Sequence, residues 1–126
     1  MSQRKIVLVV DDDESMREAI HELLSATGFT NITYASAEEL LAGGRINEAF
    51  CLVSDFRLPS RSGLELLSEL RRQGSQLPAI VITAHDTPGL SQEAALQGAV
   101  AYLVKPFSGR ALLTALESLR NDSGGD

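Results

Sequence analysis

Residues 6–15 read I-V-L-V-V-D-D-D-E-S: five apolar residues, four of them β-branched, running directly into four acids. No polar residue alternates within the apolar run, so a strand here is covered on both faces, as in a parallel sheet. Like charges at consecutive positions repel, so the acids call for either a helix start or a cation. Asp13 and Glu14 satisfy the first demand. Aspartate is a good N-cap, and acids complement the positive end of a helix. Asp11 and Asp12 are left for the second.

Working outward, the β-branched apolar character returns at Ile32–Ala35, Phe50–Ser54, Ala79–Thr83 and Val100–Val104. Between these runs the apolar residues fall at helical spacing. Met16, Ala19, Ile20, Leu23, Leu24 and Thr27 form one face, closed by Gly28. Ser36-x-x-Glu39 and Ser62-x-x-Glu65 are capping-box patterns that open the next two helices, which stop at Gly43-Gly44 and Gly74. A fourth helix is weaker: Thr87 is its cap, Pro88 its first residue, and Leu90, Ala94 and Leu96 its apolar face. A fifth begins near Ser108 and carries Leu112, Leu113, Leu116 and Leu119.

Strand and helix thus alternate five times. Strands joined by helical crossovers run parallel, which predicts a doubly wound (βα)5 sheet between two helical layers. The chain's 126 residues are enough for a single core, and 44% hydrophobic with 22% charged residues is ordinary for a globular protein. A net charge of −6 speaks against a nucleic-acid surface or an anionic membrane. Cys51 is the only cysteine, so no intrachain disulfide forms, and no leader or membrane-spanning run is visible. A cytoplasmic protein is the expectation. Residues 121–126, N-D-S-G-G-D, read as a frayed terminus or the start of a linker after a domain spanning 4–120.

In parallel sheets ligands gather beyond the carboxyl ends of the strands. Asp11, Asp12 and Asp13 follow the first strand and Asp55 the third; the fourth ends at Thr83 and the fifth runs into Lys105-Pro106. Facing carboxylates repel unless a proton or cation joins them. An all-oxygen donor set favours magnesium or calcium over zinc. With a lysine and a hydroxyl opposite, the group suits phosphoryl transfer, in which an aspartate can act as nucleophile.

The strings V-V-D-D-D-E-S-M-R, S-D-F-R-L-P-S-R-S-G, V-I-T-A-H and Y-L-V-K-P-F, in this order, resemble the receiver domain of two-component response regulators. The resemblance covers roughly residues 4–120 and looks closest to nitrogen-fixation-type regulators. It implies a flavodoxin-like three-layer sandwich with strand order 2-1-3-4-5. It also implies that Asp55 accepts a phosphoryl group from a sensor histidine kinase, and that Asp11, Asp12, Asp55 and the backbone carbonyl of Arg57 hold Mg²⁺. Lys105 would pair with the phosphoryl group, its peptide bond to Pro106 would be cis, and the Thr83 hydroxyl would bond a phosphoryl oxygen. Tyr102 would move inward with Thr83, changing the partners of the face formed by helix four, strand five and helix five. The module would catalyse only its own phosphorylation and dephosphorylation. Homodimerisation on phosphorylation is compatible with it, and DNA would be reached only through a separate output domain, with transcription the expected output.

Arg57 and His85, two residues after Asp55 and Thr83, are expected to border the site and tune the phosphoryl lifetime. A haloacid-dehalogenase-type phosphatase wants a second aspartate where Arg57 stands, and a flavodoxin wants a hydroxyl-rich loop where the acids stand. A degenerate scaffold would lack Asp55, Thr83 or Lys105, and all are present; a stand-alone or hybrid-kinase receiver would look much the same. His21 reads as a surface residue, Cys51 as a small core hydrophobe, and Arg71 and Arg72 as a solvated helix end.

Overall fold

The computed structural model describes residues 6–124, with side chains as far as Arg120. Strands β1 (Ile6–Val10), β2 (Thr30–Tyr34), β3 (Ala49–Asp55), β4 (Ala79–Thr83) and β5 (Ala99–Val104) form one parallel sheet in the order β2-β1-β3-β4-β5. The helices are α1 (Glu14–Ala26), α2 (Ala37–Gly43), α3 (Gly63–Arg72), α4 (Leu90–Leu96) and α5 (Gly109–Gly124). A short 3₁₀ turn, Ile46–Glu48, leads into β3. This is the expected flavodoxin-like sandwich.

Alternation along the strands builds two cores. Ile6, Leu8 and Val10 face the α2–α3–α4 layer, where Leu40, Leu66, Leu67, Leu70 and Ala94 close over them. Val7 and Val9 face the other way, toward Ile20 and Leu24 of α1 and Leu112 and Leu116 of α5. Every residue of β1 and β4 is buried, as unalternating runs require. The edge strands β2 and β5 are half-covered, and Val100 and Val104 are exposed.

Strand bounds differ from expectation where the partner strand decides them. β2 covers 30–34 rather than 32–35 because Thr30 through Tyr34 pair in register with Ile6 through Val10. β3 gains Ala49, opposite Ile6, and Asp55, opposite Ile82, and β5 gains Ala99, opposite Ala79.

Helix starts follow the sequence at α1, α2 and α3. Asp13 accepts from the Ser15 amide, Ser36 from Glu39, and Ser62 and Glu65 form a reciprocal capping box. The fourth start is a correction. Thr87 caps nothing with its side chain; Gly89, at φ +85°, is the N-cap, and Leu90 leads the helix. Seven residues leave room for two buried side chains, Leu90 and Ala94, so Leu96 is 86% exposed rather than part of an apolar face. Ala19 of α1 and Thr27, which caps its C-terminus, are likewise exposed, and the Thr27 hydroxyl donates to the Leu23 and Leu24 carbonyls instead.

α5 continues through Gly124, past the expected break at Asn121, and residues 125–126 lie outside the described part. Arg71 is the clearest departure. Its guanidinium is partly buried and committed to backbone: Nε donates to the Gln97 carbonyl at 2.8 Å and Nη1 to the Ser75 carbonyl at 3.1 Å. Gly98 lies against it so closely that a Cβ there would meet Nη2 at 2.5 Å. Arg72, by contrast, is exposed and pairs with Glu69, as a solvated end should. Among the described residues, no helix is long and apolar enough to cross a membrane.

Candidate functional site: an acidic cluster at the strand ends

β1 has β2 on one side and β3 on the other, so the order of the chain across the sheet reverses there. The crevice beyond the ends of β1 and β3 is where such sheets bind ligands. Asp11 follows β1 and Asp55 closes β3, and both are buried. Oxygens of Asp11, Asp12 and Asp55 all lie within 4.8 Å of one another, with Asp12 exposed at the mouth. Lys105 Nζ stands 3.5 Å from Asp55 Oδ1 and 3.7 Å from Asp11 Oδ2.

The turn that carries the first two acids is tightly held. The Asp13 amide donates to Asp11 Oδ1 at 2.9 Å, the Asp11 amide to the Tyr34 carbonyl at 3.1 Å, and Arg17 Nη1 to the Asp11 carbonyl at 2.7 Å. Asp11 Oδ2 is buried and accepts no hydrogen bond. At Asp55 the chain turns sharply: Phe56 donates to Ile82 and Gly63 returns to Phe56, each at 2.6 Å. Gly63 is required there, because a Cβ would sit 2.6 Å from the Asp55 carbonyl.

Burial pushes the Asp11 carboxyl above its ordinary value, against the Asp13 amide and Lys105, which pull it down. Asp55 is also raised, first by burial and then by the charge of Asp11, with Lys105 opposing. One lysine therefore does not neutralise three acids held this close. An oxygen-only set with an unsatisfied buried carboxylate oxygen fits a hard divalent cation.

Thr83 is buried at the end of β4, its carbonyl accepting from the Lys105 amide at 2.8 Å. Its hydroxyl accepts from the His85 amide at 3.1 Å and reaches the His85 carbonyl at 3.2 Å. Lys105-Pro106 is cis, as expected. Arg57 and His85 are both exposed, and Arg57 pairs with Ser62 in a short antiparallel bridge that closes the loop after β3. Tyr102, half-buried on β5, donates its hydroxyl to Asp86 Oδ1 at 2.8 Å. Partial burial, then this bond and the Asp86 charge, push its phenol up to about 12.

His21 lies on the surface, its Nδ1 2.7 Å from Asn31 Oδ1. Cys51 is buried, its thiol pushed up to about 12 by burial, and behaves as the small hydrophobe expected. Sequence reasoning missed Asp86 and Arg17. Asp86 carries no motif. Arg17 has a signal in hindsight, since four residues past a helix cap a long side chain can reach back over the first turn.

Buried acids and a lysine at the switch point of a 2-1-3-4-5 parallel sheet define a flavodoxin-topology domain with a cation-seeking acidic pocket. The chain belongs to the family described as the response regulator receiver domain, whose model matches residues 7–117. It is 38% identical over 112 residues to the transcriptional regulatory protein FixJ of Azorhizobium caulinodans, covering 89% of this chain and 53% of that protein. It is 40% identical over 105 residues to the DNA-binding transcriptional regulator NtrC of Salmonella typhimurium, covering 83% of this chain and 22% of NtrC. The chain spans about half the length of FixJ and less of NtrC. Among solved structures, the receiver domain of the Francisella response regulator 1452 superposes with a TM-score of 0.88 at 28% identity, covering 95% of this chain and 99% of that one. The response regulator StyR does so at 0.85 and 39%, covering 91% and 58%.

Proposed function

We propose that this receiver domain accepts a phosphoryl group on Asp55 from a phosphohistidine of a sensor kinase, in a Mg²⁺-dependent reaction. The observation that carries the reading is the convergence of Asp11, Asp12 and Asp55 with Lys105 at the switch point of the sheet. An Asp55 oxygen forms the new P–O bond, the P–N bond breaks, and the imidazole nitrogen leaves with its electron pair and takes a proton. Asp11, Asp12, Asp55 and the Arg57 carbonyl would hold Mg²⁺, which when bound neutralises charge on the phosphoryl oxygens.

The protein's own groups do the rest. Lys105, already 3.5 Å from Asp55, pairs with a phosphoryl oxygen. Thr83 gives up its bonds to the His85 peptide to reach another, and Tyr102 leaves Asp86 to follow it inward. The α4–β5–α5 face then changes shape for its partners, a second phosphorylated copy among them. Arg57 and His85, both exposed at the rim, set the lifetime of the phosphoryl group; unchanged autodephosphorylation in Arg57→Ala and His85→Ala would refute that role.

The domain works in the cytoplasm, spans residues 4–120, and turns over no external substrate. Its output is control of transcription through a DNA-binding domain outside this chain, a reading supported by its similarity to the transcriptional regulators FixJ and NtrC. The test is incubation with acetyl phosphate, with and without Mg²⁺, read by intact mass. One added phosphoryl group, dependent on Mg²⁺ and lost in Asp55→Asn, is expected. No adduct on the parent protein sinks the proposal.

A further inference from the structure

Arg17 lies in the first turns of α1, three residues after Glu14 and four after Asp13, the spacings at which a helix-surface arginine ordinarily pairs with an acid. Among the described residues it forms no ion pair with either. Its guanidinium instead turns inward and donates to the Asp11 carbonyl at 2.7 Å. A charged donor on a partly buried carbonyl makes one of the stronger hydrogen bonds available to a protein.

We propose that Arg17 is a positioning residue for the acidic cluster, fixing the peptide between Asp11 and Asp12 so that the Asp12 carboxylate meets those of Asp11 and Asp55. The inference rests on the Mg²⁺ reading above and deepens it. A peptide unit is planar, so holding the Asp11 carbonyl also holds the Asp12 nitrogen and the direction in which Asp12 leaves the strand. The Asp11 side chain is separately tied by the Asp13 amide, and Asp13 by its cap on Ser15. Asp12 has no such tie of its own: it is exposed, and among the described residues its carboxylate accepts no hydrogen bond from the protein. Its place in the cluster is therefore set by backbone, and Arg17 is the side chain that grips that backbone.

A second role for Arg17 is conceivable and has the opposite sign. A guanidinium acting only through its charge would repel a divalent cation, and its removal would tighten Mg²⁺ binding. A guanidinium that orients ligands loosens binding when removed, typically about 10-fold for a residue supporting the ligands from behind. The two roles separate cleanly.

The experiment is calorimetric titration of Mg²⁺ into the parent chain, Arg17→Met and Arg17→Lys, with metal-free thermal unfolding recorded for each. Arg17→Met, which keeps the length and drops the charge, is expected to bind about 10-fold more weakly at an unchanged unfolding midpoint. Arg17→Lys, which keeps a donor, is expected to recover part of that loss. Equal or tighter binding by a folded Arg17→Met overturns the inference. Should Arg17→Met not fold, Arg17→Lys decides: weaker binding than the parent supports the positioning role, and equal or tighter binding overturns it. A parent chain that binds no Mg²⁺ overturns the Mg²⁺ reading itself, an outcome distinct from any difference among the variants.

Discussion

Helices α3 and α4 follow one another in the chain and cover the same face of the sheet, but they are held by different means. α3 starts at a reciprocal capping box, buries Leu66, Leu67 and Leu70 completely, and ends on two arginines at its negative pole. α4 starts at a left-handed glycine without a side-chain cap, buries only Leu90 and Ala94, and leaves Leu96 in solvent. Its firmest tie to α3 is at its far end, where Arg71 holds the Gln97 carbonyl. Segments with few buried contacts and uncapped ends open most easily. The loop after Asp55 therefore leads into the rigid helix, and the loop after Thr83 leads into the loose one. In the proposed switch, a signal at Asp55 leaves α3 in place and is expressed at α4.

The largest effect should come from breaking the anchored helix. Leu67→Ala is expected to cost about 3 kcal/mol in urea unfolding, from lost burial plus the cavity left behind. The same truncation at Leu96 should stay within about 0.5 kcal/mol, because that side chain is 86% exposed. Equal costs would erase the contrast between the helices.

Next comes the tie between them. Arg71→Ala leaves the Gln97 and Ser75 carbonyls without their charged donor, and a loss of about 2 kcal/mol is expected. Amide exchange should speed up in α4 more than in α3. A uniform loss across both helices would mean that Arg71 supports the core rather than α4.

The smallest effect lies at Tyr102. The fold favours the protonated phenol, so this contribution to stability is complete below the ordinary value of 10 and disappears as pH rises through about 12. In a Tyr34→Phe background, where Tyr102 is the sole tyrosine, Asp86→Asn should bring the tyrosinate absorbance midpoint down toward 10. An unmoved midpoint would show that burial alone raises the phenol and that Asp86 does not hold it.

The strong features of this molecule were legible in its sequence for a physical reason. β1 and β4 are buried on both faces, and unalternating runs mark such strands without help from the rest of the chain. The acids, Thr83 and Lys105 could be placed together because strand ends in a parallel sheet share one edge. What stayed hidden involved backbone acceptors and edges. Arg71 reads like Arg72 on the page, since a distant carbonyl has no residue type to advertise it. Asp86 sits in a loop where only the fold brings Tyr102 within reach. The start of α4 misled because Thr87-Pro88 is a sound capping signal, but the Leu90 amide bonds the Thr87 carbonyl in a turn and the helix begins beyond it.

The most direct test of this contrast is amide hydrogen exchange with Mg²⁺ alone and with Mg²⁺ plus beryllofluoride, which stands in for the phosphoryl group on Asp55. The account predicts changed exchange in residues 84–104, through α4 and β5, with α3 unaltered. Changes centred on α3, or none beyond the Asp55 loop, would contradict it.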